Sequence, residues 1–236
     1  MNLFVGGSPR TGTSAVVRAL RKCGWDVGER VRARDGQPRH QGRAHNPLAR
    51  LGYNEDPVFI ETMSMILAAN DADPLHCPEI VEGYLGEETI RKLTDDKRQP
   101  WVLKDPQCVV FWHMLRQQFP GAHLIVPVRR PAATVQSMIG MFAVYPQRAM
   151  RHWWRNMSLA LAWSRLWPDE VHFVTFPAME GFEAATGHAV PDVIDRKAIT
   201  NTGDEACPHP HLDRLYEVLE REARDGCFGR RSSNRR

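Results

Sequence analysis

The chain is poor in the features that would tie it to an oxidising or membrane setting. Five cysteines occur in 236 residues (Cys23, Cys77, Cys108, Cys207 and Cys227), odd in number, scattered, and without a C-x-x-C pair. That excludes a disulfide framework and a cysteine-rich zinc site, and no metal ligands are expected; reduced thiols of a cytoplasmic protein are the expectation. No apolar run approaches the roughly 18 residues a membrane span requires. The start, Met1–Arg10, has no cationic opening and breaks early at glycine and proline, so it does not read as a signal peptide. Internal repeats are absent as well. Net charge is also scarce at +3, and four arginines among the last seven residues (Arg230, Arg231, Arg235 and Arg236) more than account for it. Such an end reads as a solvated, disordered basic tail over 229–236, with no nucleic-acid partner expected. The near-neutral body, 1–228, reads as a single domain, and its 42% hydrophobic content is enough for a real core.

Short apolar runs at Leu3–Val5, Trp101–Leu103, His123–Val128 and Val171–Phe176 are β-branched or aromatic and end in polar or turn residues, as buried strands do. Helical spacing fills the intervals: Thr13–Cys23, Pro57–Ala69, Cys108–Phe119, Pro131–Phe142, Arg151–Leu166 and His211–Arg224. Strands alternating with helices predict an α/β protein with a mainly parallel sheet and right-handed crossovers. The methionines Met138, Met141, Met150 and Met157, and the tryptophans Trp153, Trp154, Trp163 and Trp167, read as core filler. The segment from Gly28 to Arg50 differs: it holds six arginines (Arg30, Arg32, Arg34, Arg39, Arg43 and Arg50) and little apolar content, as either a cationic cover for an anion or a loose insertion.

Chemistry concentrates where the first run ends. Leu3–Val5 enters Gly6-Gly-Ser-Pro-Arg-Thr-Gly-Thr-Ser14, and a helix follows at once. Glycines let the backbone approach closely, the first helical N–H groups lack intrahelical acceptors, and the helix dipole favours an anion there. Thr11, Thr13 and Ser14 add hydroxyls and Arg10 a cation. Gly7, Gly12 and Ser14 fit the spacing G-x-x-x-x-G-K-[ST], but Thr13 stands where that pattern has lysine, the group that reaches the β and γ phosphates of a nucleoside triphosphate. The loop therefore points to a nucleotide whose chemistry sits on a single 5′-phosphate.

Ser8-Pro-Arg-Thr-Gly-Thr-Ser14 resembles the 5′-phosphosulfate loop of the sulfotransferase family, P-[KR]-[ST]-G-[TS]-[TS]. A second resemblance follows the third apolar run. In Val128-Arg-Arg-Pro-Ala-Ala-Thr-Val-Gln-Ser137, Arg129, Pro131 and Ser137 match the family's 3′-phosphate motif, R-x-P with a serine eight residues after the arginine. A third, Lys104-Asp105-Pro106-Gln107, resembles the K-D-P-R run of bacterial members, with Gln107 where arginine is usual. The likeness spans Asn2 to Phe176; the R-K-G-x-x-G segment of eukaryotic cytosolic members is not evident. It implies a three-layer P-loop-like fold. It also implies a sulfuryl donor, 3′-phosphoadenosine 5′-phosphosulfate, leaving as adenosine 3′,5′-bisphosphate. The donor's 5′ side would lie on Ser8, Pro9, Arg10, Thr11, Gly12, Thr13 and Ser14 and its 3′-phosphate on Arg129 and Ser137. Arg10 takes the catalytic lysine-or-arginine position. Arg130, inside the second motif, is a neighbour without an assigned role.

The acceptor's proton needs a base. Glu55, in Gly52-Tyr-Asn-Glu-Asp-Pro57, looks like the acidic position of related sulfotransferases; Asp105 and His40 are alternatives, and Glu55 or Asp56 also reads as a helix cap. The acceptor itself, small molecule or glycan, is not legible, nor is the oligomeric state. Two rival readings stay open: a small-molecule or nucleotide kinase with a degenerate loop, and a nucleotide-binding protein without catalysis.

Overall fold

Leu3, Phe4 and Val5 are all fully buried, which a strand can achieve only when both faces of its sheet are covered. The computed structural model, which describes residues 1–32, 55–70, 83–192 and 209–229, shows how. Its elements in chain order are β1 (Leu3–Val5), α1 (Thr13–Lys22), α2 (Glu29–Arg32), α3 (Pro57–Ala69), α4 (Glu87–Thr94), β2 (Val102–Lys104) and α5 (Cys108–Gln118). There follow β3 (His123–Val128), α6 (Pro131–Phe142), α7 (Pro146–Leu166), β4 (Val171–Thr175), α8 (Phe182–Thr186) and α9 (Pro210–Gly229). The strands pair in parallel in the order β2-β1-β3-β4.

Because successive strand residues face opposite sides, the sheet divides the core in two. Phe4, Leu103, Leu124, Val126, Val171 and Phe173 point to one face, which α3, α4, α5, α7 and α9 cover. Leu3, Val5, Val102, Ile125 and Val174 point to the other, covered by α1, α2 and α8. The result is the α/β three-layer, P-loop-like fold with a parallel central sheet. On the first face Phe4 sits in an aromatic cluster, its ring 5.5 Å from Trp101 and 5.2 Å from Phe119 between centroids.

β1, β3, α3 and α6 begin and end at the positions the sequence pattern suggests. β2 is displaced by one residue because Lys104 pairs with Val5 while Trp101 makes only an isolated bridge to Asp26. α7 starts five residues before Arg151, where Tyr145 is extended and Pro146 takes the first helical position. α9 reaches Gly229, a residue expected in the tail, since no proline interrupts the run. The expected tail Arg230–Arg236 lies outside the described residues, as does most of the Gly28–Arg50 segment. Its opening is not a loose insertion: α2 carries Val31 into the core, only 4% exposed. Among the described residues, no helix is long and apolar enough to cross a membrane.

Candidate functional site at the carboxyl edge of the sheet

All four strands run in the same direction, so their carboxyl ends lie along one edge, where open α/β sheets bind ligands. Four segments leave that edge: Gly6–Gly12 after β1, Asp105–Gln107 after β2, Arg129–Arg130 after β3, and Phe176 after β4. They meet one another. Gly6 N donates to Ile125 O at 3.1 Å and Gly7 N to Pro106 O at 2.8 Å. Phe176 N donates to Val128 O at 2.7 Å, and the Arg129 guanidinium stands 5.7 Å from the centre of the Phe176 ring.

The glycine loop uses backbone conformations its sequence makes possible. Gly12, the residue preceding α1, has φ 107°, and no side chain caps the helix; the Gly12 carbonyl accepts from Ala15 N at 2.9 Å and Val16 N at 3.1 Å. A Cβ on Gly12 would fall 2.5 Å from the Phe176 ring, which excludes a side chain on grounds of space as well as dihedral. Arg10 also has positive φ, 73°, costly for a residue with a Cβ. Two contacts hold it: Arg129 donates to the Arg10 carbonyl at 3.1 Å, and Arg10 Nε donates to the Ser137 hydroxyl at 2.9 Å. Residues from three separate stretches of sequence, the glycine loop, the end of β3 and the second turn of α6, thus share one small volume.

Within it, Arg129 is 9% exposed. Its pKa is pushed down to about 10, first by burial and then by the charge of Arg10. A cation held beside a second cation in a desolvated pocket can receive an anion. Thr13 is buried and Ser14 half-buried on the first turn of α1, and Pro9 is half-buried in the loop. Ser8 and Thr11 turn inward: the Thr11 hydroxyl donates to Ser8 O at 2.7 Å, shaping the loop from within. Arg130 is exposed and touches Tyr216 of α9, whose hydroxyl is pushed up to about 12 by burial and by its bond to Glu220.

Glu55 lies just before α3 and forms an ion pair with Lys104, the last residue of β2, with both side chains largely buried. This brings the carboxylate to the same edge of the sheet. Its neighbour Asp56 is the helix cap, accepting from Val58 N at 2.9 Å and Phe59 N at 3.3 Å, and pairs with Lys97 at 2.9 Å. Of the two acids, Asp56 is therefore the cap and Glu55 is not. Asp105 accepts from Gln107 N at 2.7 Å, forming the turn into α5. Gln107, where the motif has arginine, has a buried amide oxygen without a hydrogen-bond partner. His40 lies outside the described residues. Among the described residues no group of three or more His, Cys, Asp or Glu could hold a metal ion.

Three neighbours of the loop escape a reading of the sequence. His152 and Asn156, one turn apart on α7, are buried against Ser8 and Gly7. Phe176 closes over Gly12. Two polar residues four apart in a helix rich in Trp and Met are a signal of a buried contact, but nothing in the sequence says with what.

A parallel sheet with a glycine-capped helix and arginines at its carboxyl edge places the chain among P-loop-like α/β proteins. The chain belongs to the sulfotransferase family, whose model matches residues 2–195. Among solved structures it is similar to the sulfotransferase domain from the Synechococcus PCC 7002 olefin synthase. The identity is 16%, the match covers 93% of this chain and 94% of that one, and the TM-score is 0.50, a likeness of fold. No curated protein matches the chain.

Proposed function

We propose that this protein moves a sulfuryl group from 3′-phosphoadenosine 5′-phosphosulfate to an acceptor hydroxyl or amine on a small molecule or glycan. The observation that carries the reading is the junction of Arg10, Arg129 and Ser137, where the two sequence motifs for a doubly phosphorylated adenosine meet through bonds of 2.9 and 3.1 Å. The donor set fits such a group: a helix start without a side-chain cap, a buried guanidinium, and a second cation beside it. When bound, the donor supplies an activated sulfuryl group and a bisphosphate leaving group.

The chain's own residues do the rest. Thr13, Ser14 and the first N–H groups of α1 hold the 5′-phosphate, and Ser8, Pro9, Thr11 and Gly12 shape the backbone around it. Arg129 and Ser137 take the 3′-phosphate. Arg10 spans the two, its carbonyl tied to Arg129 and its side chain to Ser137, and places positive charge where the leaving oxygen becomes negative. The Ser137 hydroxyl accepts from Arg10 in this structure, so holding a 3′-phosphate involves exchanging that partner. Glu55 accepts the acceptor's proton, and Lys104 fixes the carboxylate at the sheet edge. The chemistry is direct: the acceptor oxygen or nitrogen forms its bond to sulfur as the bond from sulfur to the phosphate oxygen breaks.

The test is transfer of labelled sulfate from the donor to a panel of acceptors by wild type and Glu55→Gln. The substituted enzyme is expected to lose about 10²–10⁴ in kcat with little change in donor KM. Unchanged kcat would remove Glu55 from the mechanism, and magnesium-dependent phosphoryl transfer from ATP would replace the reading with a kinase.

A further inference from the structure

We propose that Asn156 and His152 are positioning residues that hold the glycine loop in its anion-binding shape from behind. The proposal rests on the sulfotransferase reading and extends it to α7, a helix outside all three sequence motifs.

Gly7 is gripped on both sides. Its N–H donates to Pro106 O at 2.8 Å, and its carbonyl accepts from Asn156 Nδ2 at 2.9 Å. A peptide unit is planar and trans, so the plane that carries the Gly7 carbonyl also fixes the direction of the Ser8 N–H, on the side away from α7. One residue on, the Ser8 hydroxyl lies 3.4 Å from His152 Nδ1 and 3.8 Å from Met138 Sδ. The Ser8 carbonyl takes the Thr11 hydroxyl at 2.7 Å and the Thr11 N–H at 3.3 Å. The carbonyls and hydroxyls at the base of the loop are thereby committed inward, and the proposal places the anion at its far end, where α1 begins.

The amide of Asn156 is oriented, not loose. Its oxygen accepts from Arg155 Nε and Nη2, each at 3.2 Å, which leaves Nδ2 as the group facing the Gly7 carbonyl. Asn156 is fully buried beside Trp153, Met157 and Ala160, a setting where an apolar side chain would cost less to bury. The bond that justifies a polar group there is made to the loop. Its role is to orient, because it reaches backbone rather than any group at the ligand end of the loop.

Isothermal titration of Asn156→Asp and His152→Gln with adenosine 3′,5′-bisphosphate and with adenosine 3′-monophosphate separates the outcomes. Aspartate keeps the shape of asparagine and lacks the donor. A loop held for the 5′-phosphate predicts about a tenfold weaker Kd for the bisphosphate in Asn156→Asp, and about threefold in His152→Gln. The 3′-monophosphate should change less than twofold in both. Unchanged bisphosphate affinity in both variants, or equal loss for the two ligands as general loss of structure would give, overturns the proposal. Failure of the wild type to bind the bisphosphate would instead overturn the sulfotransferase reading on which it rests.

Discussion

The two edges of the sheet handle charge differently. At the amino edge charges and polar groups cancel: Arg116 binds Glu170 through two bonds of 2.8 Å while lying 4.2 Å over Trp167. Beside them His123 and His172 stack and share a hydrogen bond of 2.9 Å. The Glu170 carboxyl is held below its ordinary range, chiefly by the bond from Arg116. At the carboxyl edge Lys104 and Glu55 also pair, but Arg10 and Arg129 stand close enough for one to depress the other, on a backbone with positive φ at Arg10 and Gly12. Burial and like charge cost folding energy that the amino edge avoids. The difference is consistent with the anion site proposed at the carboxyl edge.

Substitutions at each edge should separate binding from stability. The largest effect is expected for Arg129→Ala, with bisphosphate affinity reduced about a hundredfold by calorimetry. Arg129→Met should bind as poorly while melting at the same temperature as wild type or a few degrees above it, since a buried cation is replaced by an apolar chain; a large drop in melting temperature would contradict the contrast. Gly12→Ala should cost about 2–3 kcal/mol in denaturant unfolding, from both its dihedral and the Phe176 ring, and Phe176→Ala in the same chain should recover part of it. At the amino edge Arg116→Ala should lower stability by only about 1 kcal/mol and leave bisphosphate affinity within twofold. The smallest effect is the pH dependence of Arg129. Its guanidinium is charged below about 10, so its contribution to anion affinity is level through neutral pH and falls as pH rises through that value. From about pH 10 upward, as far as the ordinary arginine range, the unfolded chain binds the extra proton, so Arg129's contribution to stability rises with pH there. Arg129→Met should lack both trends.

What could be read from the sequence was what local pattern encodes. Leu3–Val5 and His123–Val128 are apolar runs bounded by turn residues, and Pro57 and Pro131 mark helix starts, so these elements came out at their true limits. The short helices α2, α4 and α8 span too few turns to show a period. Arg10, Arg129 and Ser137 could be singled out as candidates because each sits in a motif of fixed spacing, and the structure brings the three together. The pairing of Glu55 with Lys104, across 49 positions, and the reach of Asn156 back to Gly7, across 149, depend on how strands and helices stack, which no local spacing records. Asp56 shows the converse: an acid before a proline reads as a cap, and it is one.

The most direct test of the central claim is calorimetric titration of the wild-type protein with adenosine 3′,5′-bisphosphate in the absence of metal, set against ATP with magnesium. Metal-independent binding of the bisphosphate, strongly weakened in Arg129→Ala, is the result expected of a carboxyl edge built for a doubly phosphorylated adenosine. Magnesium-dependent ATP binding with no response to the bisphosphate would contradict it.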